Sequence, residues 1–270
     1  KLSLIQITNK IINPNFGLFK KDLSKINELK TKKLQILNSG LSIVDKIYWL
    51  TEYCKRYGTL PFAGIARAAF ISTQILKSLQ ELDVINSVEY NDFLGSLNSI
   101  TGEMEEDLYN LSINSFSKND FLSKYGHLRP GTYDILSQRY DENFENYFSK
   151  INPKKKKKSS FTFLRKHKTK IQNIISNSGL EITFKELINF IKESIEAREY
   201  SKFIFTSTLS EIIKLIQELG FSVNKSKDEM SHVDFKTILS LYNDLDHQFL
   251  EQIFNSDILK YKRLNNLTNA

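Results

Sequence analysis

At 270 residues, with 40% hydrophobic and 26% charged positions, the chain has an ordinary folded-protein composition, enough for one substantial core or two smaller ones. Its net charge of +7 raises the question of nucleic acid, but five of those charges form the single run Lys154 to Lys158 and the remainder is nearly balanced, which argues against a basic binding face. A lone cysteine, Cys54, excludes an internal disulfide, the longest apolar runs are too short for a membrane anchor, and the N-terminus lacks the order of a signal peptide, so a cytoplasmic chain is expected.

Ten glycines and four prolines punctuate the chain sparsely, and apolar residues recur every three or four positions, so the expected fold is all-α: an irregular helical bundle with two lobes joined by a lysine-rich loop. The chain starts Lys-Leu-Ser-Leu rather than with methionine, which leads to the expectation of an excised segment. A first helix is read over Leu18 to Asn38, and a second over Ile43 to Tyr57, opened by Ser42 and Asp45 and stopped at Gly58. Pro61 then suits the first turn of a third helix reaching Leu82, small or apolar nearly all round and so expected to be buried on several sides. A fourth helix is placed over Val88 to Leu111, and a shorter one from Ser117 to Tyr125.

The loop that follows, within 125–140, carries turn formers at both ends and polar groups between them. A basic linker over 151–160 divides the expected lobes, 1–150 and 161–270. The second lobe should hold a helix near Phe163 to Ile175 and a long one near 184–219, capped by Thr183 with Glu186. After it, Ser231 with Asp234 resembles a capping box for a helix to Tyr242, and a terminal helix spans Asp246 to Leu264.

No Walker loop, paired-cysteine pattern or His-Glu-x-x-His motif is present, and the four histidines sit in unrelated surroundings, so no metal site is expected. Cys54 falls on an apolar stripe and reads as a structural thiol. The sharper features are cationic. Ile188, Ile191 and Ile195 set a stripe whose next positions are Arg198 and Lys202, before Phe205, Leu209 and Ile212; cations in a core row need carboxylates, a wet cleft or an anionic ligand. A salt bridge to Glu193 or Glu199 is the plain alternative. His127, Arg129 and Arg139 flank Tyr133 and Asp134 in the glycine-bounded loop, a concentration typical of sites. Arg56 and Thr59 border a helix junction whose free N–H groups would cradle an anion, with Arg67 one and a half turns further in.

Three segments, Tyr-Gly-Thr-Leu-Pro-Phe-Ala-Gly-Ile-Ala-Arg-Ala-Ala-Phe (57–70), Tyr-Gly-His-Leu-Arg-Pro-Gly-Thr-Tyr-Asp-Ile (125–135) and Arg-Glu-Tyr-Ser-Lys-Phe-Ile-Phe-Thr (198–206), together resemble the central region of phosphoenolpyruvate synthase-like phosphotransferases. Within that family the layout is most similar to the L-glutamine kinases of phosphoramidate capsule synthesis. The resemblance implies an acceptor domain between an ATP-binding domain and a swivelling phosphohistidine domain of the same polypeptide. ATP and Mg2+ would then bind outside this chain, which holds no cofactor and no catalytic residue of its own. The acceptor would be a small molecule, L-glutamine at its amide nitrogen first, with pyruvate or another small molecule as alternatives. A non-catalytic helical binding module stays open as well, and neither nucleic acid nor membrane is expected as a partner. On this reading Arg56, Thr59, Arg67, His127, Arg129, Arg198 and Lys202 contact phosphate or carboxylate, while Tyr133 and Asp134 orient the acceptor.

Overall fold

A computed structural model describes residues 2–151, 166–242 and 250–268, and among them every regular element is helical. In chain order these are α1 (Leu2–Ile12), α2 (Leu18–Leu37), α3 (Ile43–Tyr53), a π-helical turn (Cys54–Thr59), α4 (Leu60–Glu81), α5 (Ser87–Gly95), α6 (Ile100–Ser112), α7 (Lys118–Tyr125), α8 (Phe144–Phe148), α9 (Lys168–Ser178), α10 (Phe184–Ser222), α11 (Lys227–Met230), α12 (Phe235–Ser240) and α13 (Leu250–Thr268). The expected all-α architecture is what the protein adopts. The basic linker, including Lys154 to Lys158, lies outside the described residues apart from Ile151.

Local signals place many of these boundaries. Ser42 Oγ accepts from the Asp45 N–H at 3.1 Å to open α3, and Thr183 with Glu186 closes a reciprocal box at the start of α10, the Thr183 N–H donating to Glu186 Oε2 at 2.9 Å. Other boundaries differ from expectation. Helix α1 precedes the first helix read from the sequence. The single helix expected over Val88 to Leu111 is two, α5 and α6, because Ser96 to Ser99 break it and Asn86 and Ser99 supply a separate N-cap to each. Ser226 with Glu229 makes the capping box of α11, and Asp234 alone caps α12, so Ser231 does not play the part assigned to it.

The most consequential difference lies at Gly58 and Pro61. The chain does not stop and restart there; it passes from α3 into α4 through a π-turn, Cys54–Thr59. A proline clashes with the carbonyl four residues back in a regular α-helix, and a widened turn moves that carbonyl aside. Continuity makes Ile43–Glu81 a 39-residue run with an 18-residue window of mean hydropathy 1.2, long and apolar enough by composition to cross a membrane, contrary to the estimate from short apolar runs. Ile47, Leu50, Ile65 and Leu76 on this run are fully buried within the protein, and about a third of the apolar window is buried.

Contacts group the chain into two compact units, each interleaving three segments: Lys1–Leu29, Arg56–Ser117 and Asn152–Phe205 in the first, and Lys30–Lys55, Lys118–Ile151 and Thr206–Ala270 in the second. This differs from sequential lobes on either side of 151–160, because α2 and α10 are each shared between units. In the first unit Phe19 meets Phe190 edge-on, and buried Ser72 and Ser194 pair their hydroxyls at 2.6 Å, so α4 approaches α10 closely over small side chains. Helix α4 buries Ile65, Ala68 and Ala69 but leaves Leu60 and Phe70 exposed, so it is covered on one side rather than several. In the second unit Phe121 and Tyr125 of α7 are fully buried, and Tyr48 stacks on Tyr242 at 3.8 Å.

Candidate functional site

The residues singled out from the sequence divide between the units, and the two groups have different surroundings. Arg56, Thr59, Arg67, Arg198 and Lys202 belong to the first unit, and all five are exposed. The anion cradle expected at Arg56 and Thr59 is absent, because a helix that continues through a π-turn presents no free N-terminus there. Arg67 lies beside Asp22, whose carboxyl is pushed up by burial and drawn back down by Lys25 and Arg67. Asp22 reaches this position because Gly64 has no side chain: a Cβ there would stand 2.0 Å from Asp22 Oδ2.

Arg198 and Lys202 do not sit in the core row of α10. That row runs through Leu187, Ile191, Ser194, Ala197, Ser201, Ile204, Thr208 and Ile212, all buried, while Ile195 lies at its margin. Small side chains fill the positions where the helix packs most tightly, so a stripe traced through the large isoleucines veers onto the outer face. The expected need for buried counter-charges at Arg198 and Lys202 therefore disappears.

The loop after α7 keeps its promise as a structured polar segment. Its two ends are laced together, the Tyr140 N–H donating to the Leu128 carbonyl at 2.8 Å and the Asp141 N–H to the Gly126 carbonyl at 3.1 Å. Gly126 is required for this approach, since a Cβ would come within 2.3 Å of the Leu122 carbonyl oxygen and 2.9 Å of Asp141 Cβ. At the tip, the Asp134 N–H bonds the Gly131 carbonyl, and Asp134 Oδ1 accepts from the Leu136 N–H at 2.8 Å. This Asx-type turn leaves Tyr133 exposed and points the Asp134 side chain to the surface.

One face of α10, past its midpoint, receives three basic side chains in succession. Lys33 Nζ donates to Ser207 Oγ at 2.7 Å, Arg129 Nη2 to Ser210 Oγ at 3.2 Å, and Arg139 Nη1 to Glu211 Oε1 at 2.9 Å. Ser210 Oγ in turn donates to the carbonyl of buried His127 at 2.7 Å. The two arginines have unequal partners. Arg139 clasps Asp141 with two N–H groups, at 2.9 and 2.7 Å, besides reaching Glu211; burial opposes its charge, and these carboxylates more than compensate, so its pKa rises.

Among the described residues Arg129, 8% exposed, has only neutral hydrogen-bond acceptors, Ser210 Oγ and the Asp134 carbonyl at 3.2 Å, and its Nε meets none. Burial, and then Arg139, lower its pKa. Lys33 is likewise pulled down, chiefly by burial. Neither serine, nor Lys33, nor Glu211 was picked out from the sequence. The run Thr206-Ser207-Thr208 with Ser210, poor helix formers inside a long helix, was the available signal.

Beside the loop tip lies a groove of about 320 Å³, with Tyr133, Asp134 and Ile135 on one side, Leu209, Ile212, Ile213 and Ile216 of α10 as its floor, and residues of 230–238 opposite. Arg129 is not in its lining; it stands behind the turn and holds the Asp134 backbone. A groove of about 510 Å³ in the first unit, lined by Lys20, Glu193, Glu196 and Tyr200 among others, includes none of the nine expected site residues. Cys54 is buried and its thiol is pushed up to about 11, in keeping with a structural role. Comparison of the chain with protein-family models, curated proteins and solved structures finds no match.

Proposed function

We propose that this chain is the acceptor-binding region of a multidomain, cytoplasmic, ATP-dependent phosphotransferase of the phosphoenolpyruvate synthase-like kind, in which a histidine on a mobile domain receives the phosphoryl group and delivers it to a small molecule held here. The observation that carries the proposal is the loop tip: Tyr133 and Asp134 stand at the edge of a groove of small-molecule size while buried Arg129 bonds the Asp134 carbonyl from behind. A transfer domain of this kind needs the acceptor fixed and its nucleophilic nitrogen or oxygen oriented, and a carboxylate on a braced turn does that by accepting a hydrogen bond. Asp134 orients; Arg129 is a positioning residue. The reading draws on the second unit and asks nothing of Arg198 or Lys202. L-Glutamine, phosphorylated on its amide nitrogen, and pyruvate are the acceptors that the sequence resemblance suggests, with ATP and Mg2+ bound by another domain of the polypeptide.

The test is a two-stage labelling experiment on the intact polypeptide. ATP should label a histidine, and an acceptor should discharge it. Asp134→Asn should leave the labelling at the level of the parent and slow the discharge about tenfold or more. An intact polypeptide that forms no ATP-dependent phosphohistidine would end this reading, and equal loss of both stages would move Asp134 away from the acceptor.

A further inference from the structure

The groove at the loop tip has a chemistry that narrows its ligand. Its floor and far wall are mostly hydrocarbon, from Leu209, Ile212, Ile216, Val233, Phe235 and Ile238, with Ser231, whose hydroxyl donates to the Asp228 carbonyl, between them; among the described residues the single charged side chain in the lining is Asp134 at the edge. Asp134 Oδ1 is occupied by the Leu136 N–H, whereas no hydrogen bond engages Oδ2 among the described residues. Because no cation among the described residues lines the groove, a carboxylate placed in it would lose hydration without gaining a charged partner from them. The cations that a ligand carboxylate would need, Arg129 and Arg139, are turned to Ser210, Glu211 and Asp141 instead.

We infer that this groove binds a small amphipathic amine, its apolar body on the α10 floor and its ammonium or amine N–H on the free oxygen of Asp134. An apolar body with a donor head fits both halves of the lining, and a volume of about 320 Å³ matches a single aromatic or short aliphatic group with its head. The inference deepens the proposed acceptor site and rests on it for the word acceptor. It ranks free amino acids and pyruvate, each with a carboxylate, below amines without one.

The test holds the body constant and changes the head: phenethylamine, 2-phenylethanol and 3-phenylpropionate titrated into the 270-residue chain, read by amide chemical shifts of 131–137 and 209–216. Phenethylamine should bind most tightly, the alcohol about fivefold more weakly, as for loss of a partly exposed charge pair, and the acid weakest. Asp134→Asn should bring the amine to the level of the alcohol. Phe235→Ala, at an exposed position, should weaken amine and alcohol about equally. Binding of the acid as tight as the amine, shifts confined to other residues, or no shift at millimolar probe would overturn the inference. Concentration-dependent broadening of these resonances without probe would make a second copy the occupant and overturn it too. Amine binding with no phosphoryl transfer in the intact polypeptide would sink the enzyme reading and leave this site standing.

Discussion

The turns of α10 around Arg198 and the loop over 126–142 both concentrate basic residues, yet the first leaves them in water while the second draws Arg129 and Arg139 to 8% and 7% exposure. Packing in the neighbourhood, not charge density along the chain, separates them. On α10 the buried row is made of Ser194, Ala197 and Ser201, so the adjacent long cations have an outer face to occupy. The loop has no apolar stripe, and it reaches the protein interior by exchanging hydrogen bonds with α10: Ser210 to the His127 carbonyl, Arg129 to Ser210, Arg139 to Glu211. Burying polar groups is tolerable when nearly every one finds a partner, and the lacing of the loop ends supplies the rest.

The sharpest way to break this contrast is to unpair a buried charge in the loop. Arg139→Ala should leave Glu211 facing the interior without its cation and cost about 3 kcal/mol in denaturant unfolding, the usual penalty for breaking a buried pair. A cost near that of a surface change would mean that the loop is held by something other than these contacts. Next in size, Gly126→Ala should cost about 2 kcal/mol, because the new methyl meets backbone rather than a side chain that can swing away. Gly40→Ala, with nothing within 4 Å of the added carbon, is the matched control and should be neutral or slightly stabilising.

The first unit has its own tied charge. Glu89 accepts from Lys166 and from the Asn86 N–H, with His167 nearby; these bonds outweigh burial and hold its carboxyl at about 2. Its pKa in the folded state is depressed, so its contribution is complete above the ordinary value of 4.5 and is lost as pH falls from there towards 2. Acid titration of stability should therefore steepen across that window, and Glu89→Gln should flatten it. An unchanged acid profile in the variant would show that these bonds add nothing to stability. The smallest effects belong to the outer turns of α10: Arg198→Ala and Lys202→Ala should each stay within about 0.5 kcal/mol of the parent. A loss well beyond that in either would return the residue to the interior.

Legibility from the sequence follows the range of the interaction. Apolar spacing and sparse glycine and proline determine an all-helical chain, and caps formed within three residues, Ser42 with Asp45 and Thr183 with Glu186, place helix starts correctly. A polar loop within 125–140 that carries Tyr133 and Asp134 is also apparent from local composition. Tertiary structure alone decides that the buried row of α10 runs through small residues and sends Arg198 and Lys202 outward, and it decides the difference between two arginines ten positions apart in number. The difference between the arginines depends on partners 72 and 81 residues away, Glu211 for Arg139 and Ser210 for Arg129, with Ser210 itself bonded to the His127 carbonyl 83 residues back, and a hydrogen bond across such a separation leaves no periodic trace in the chain.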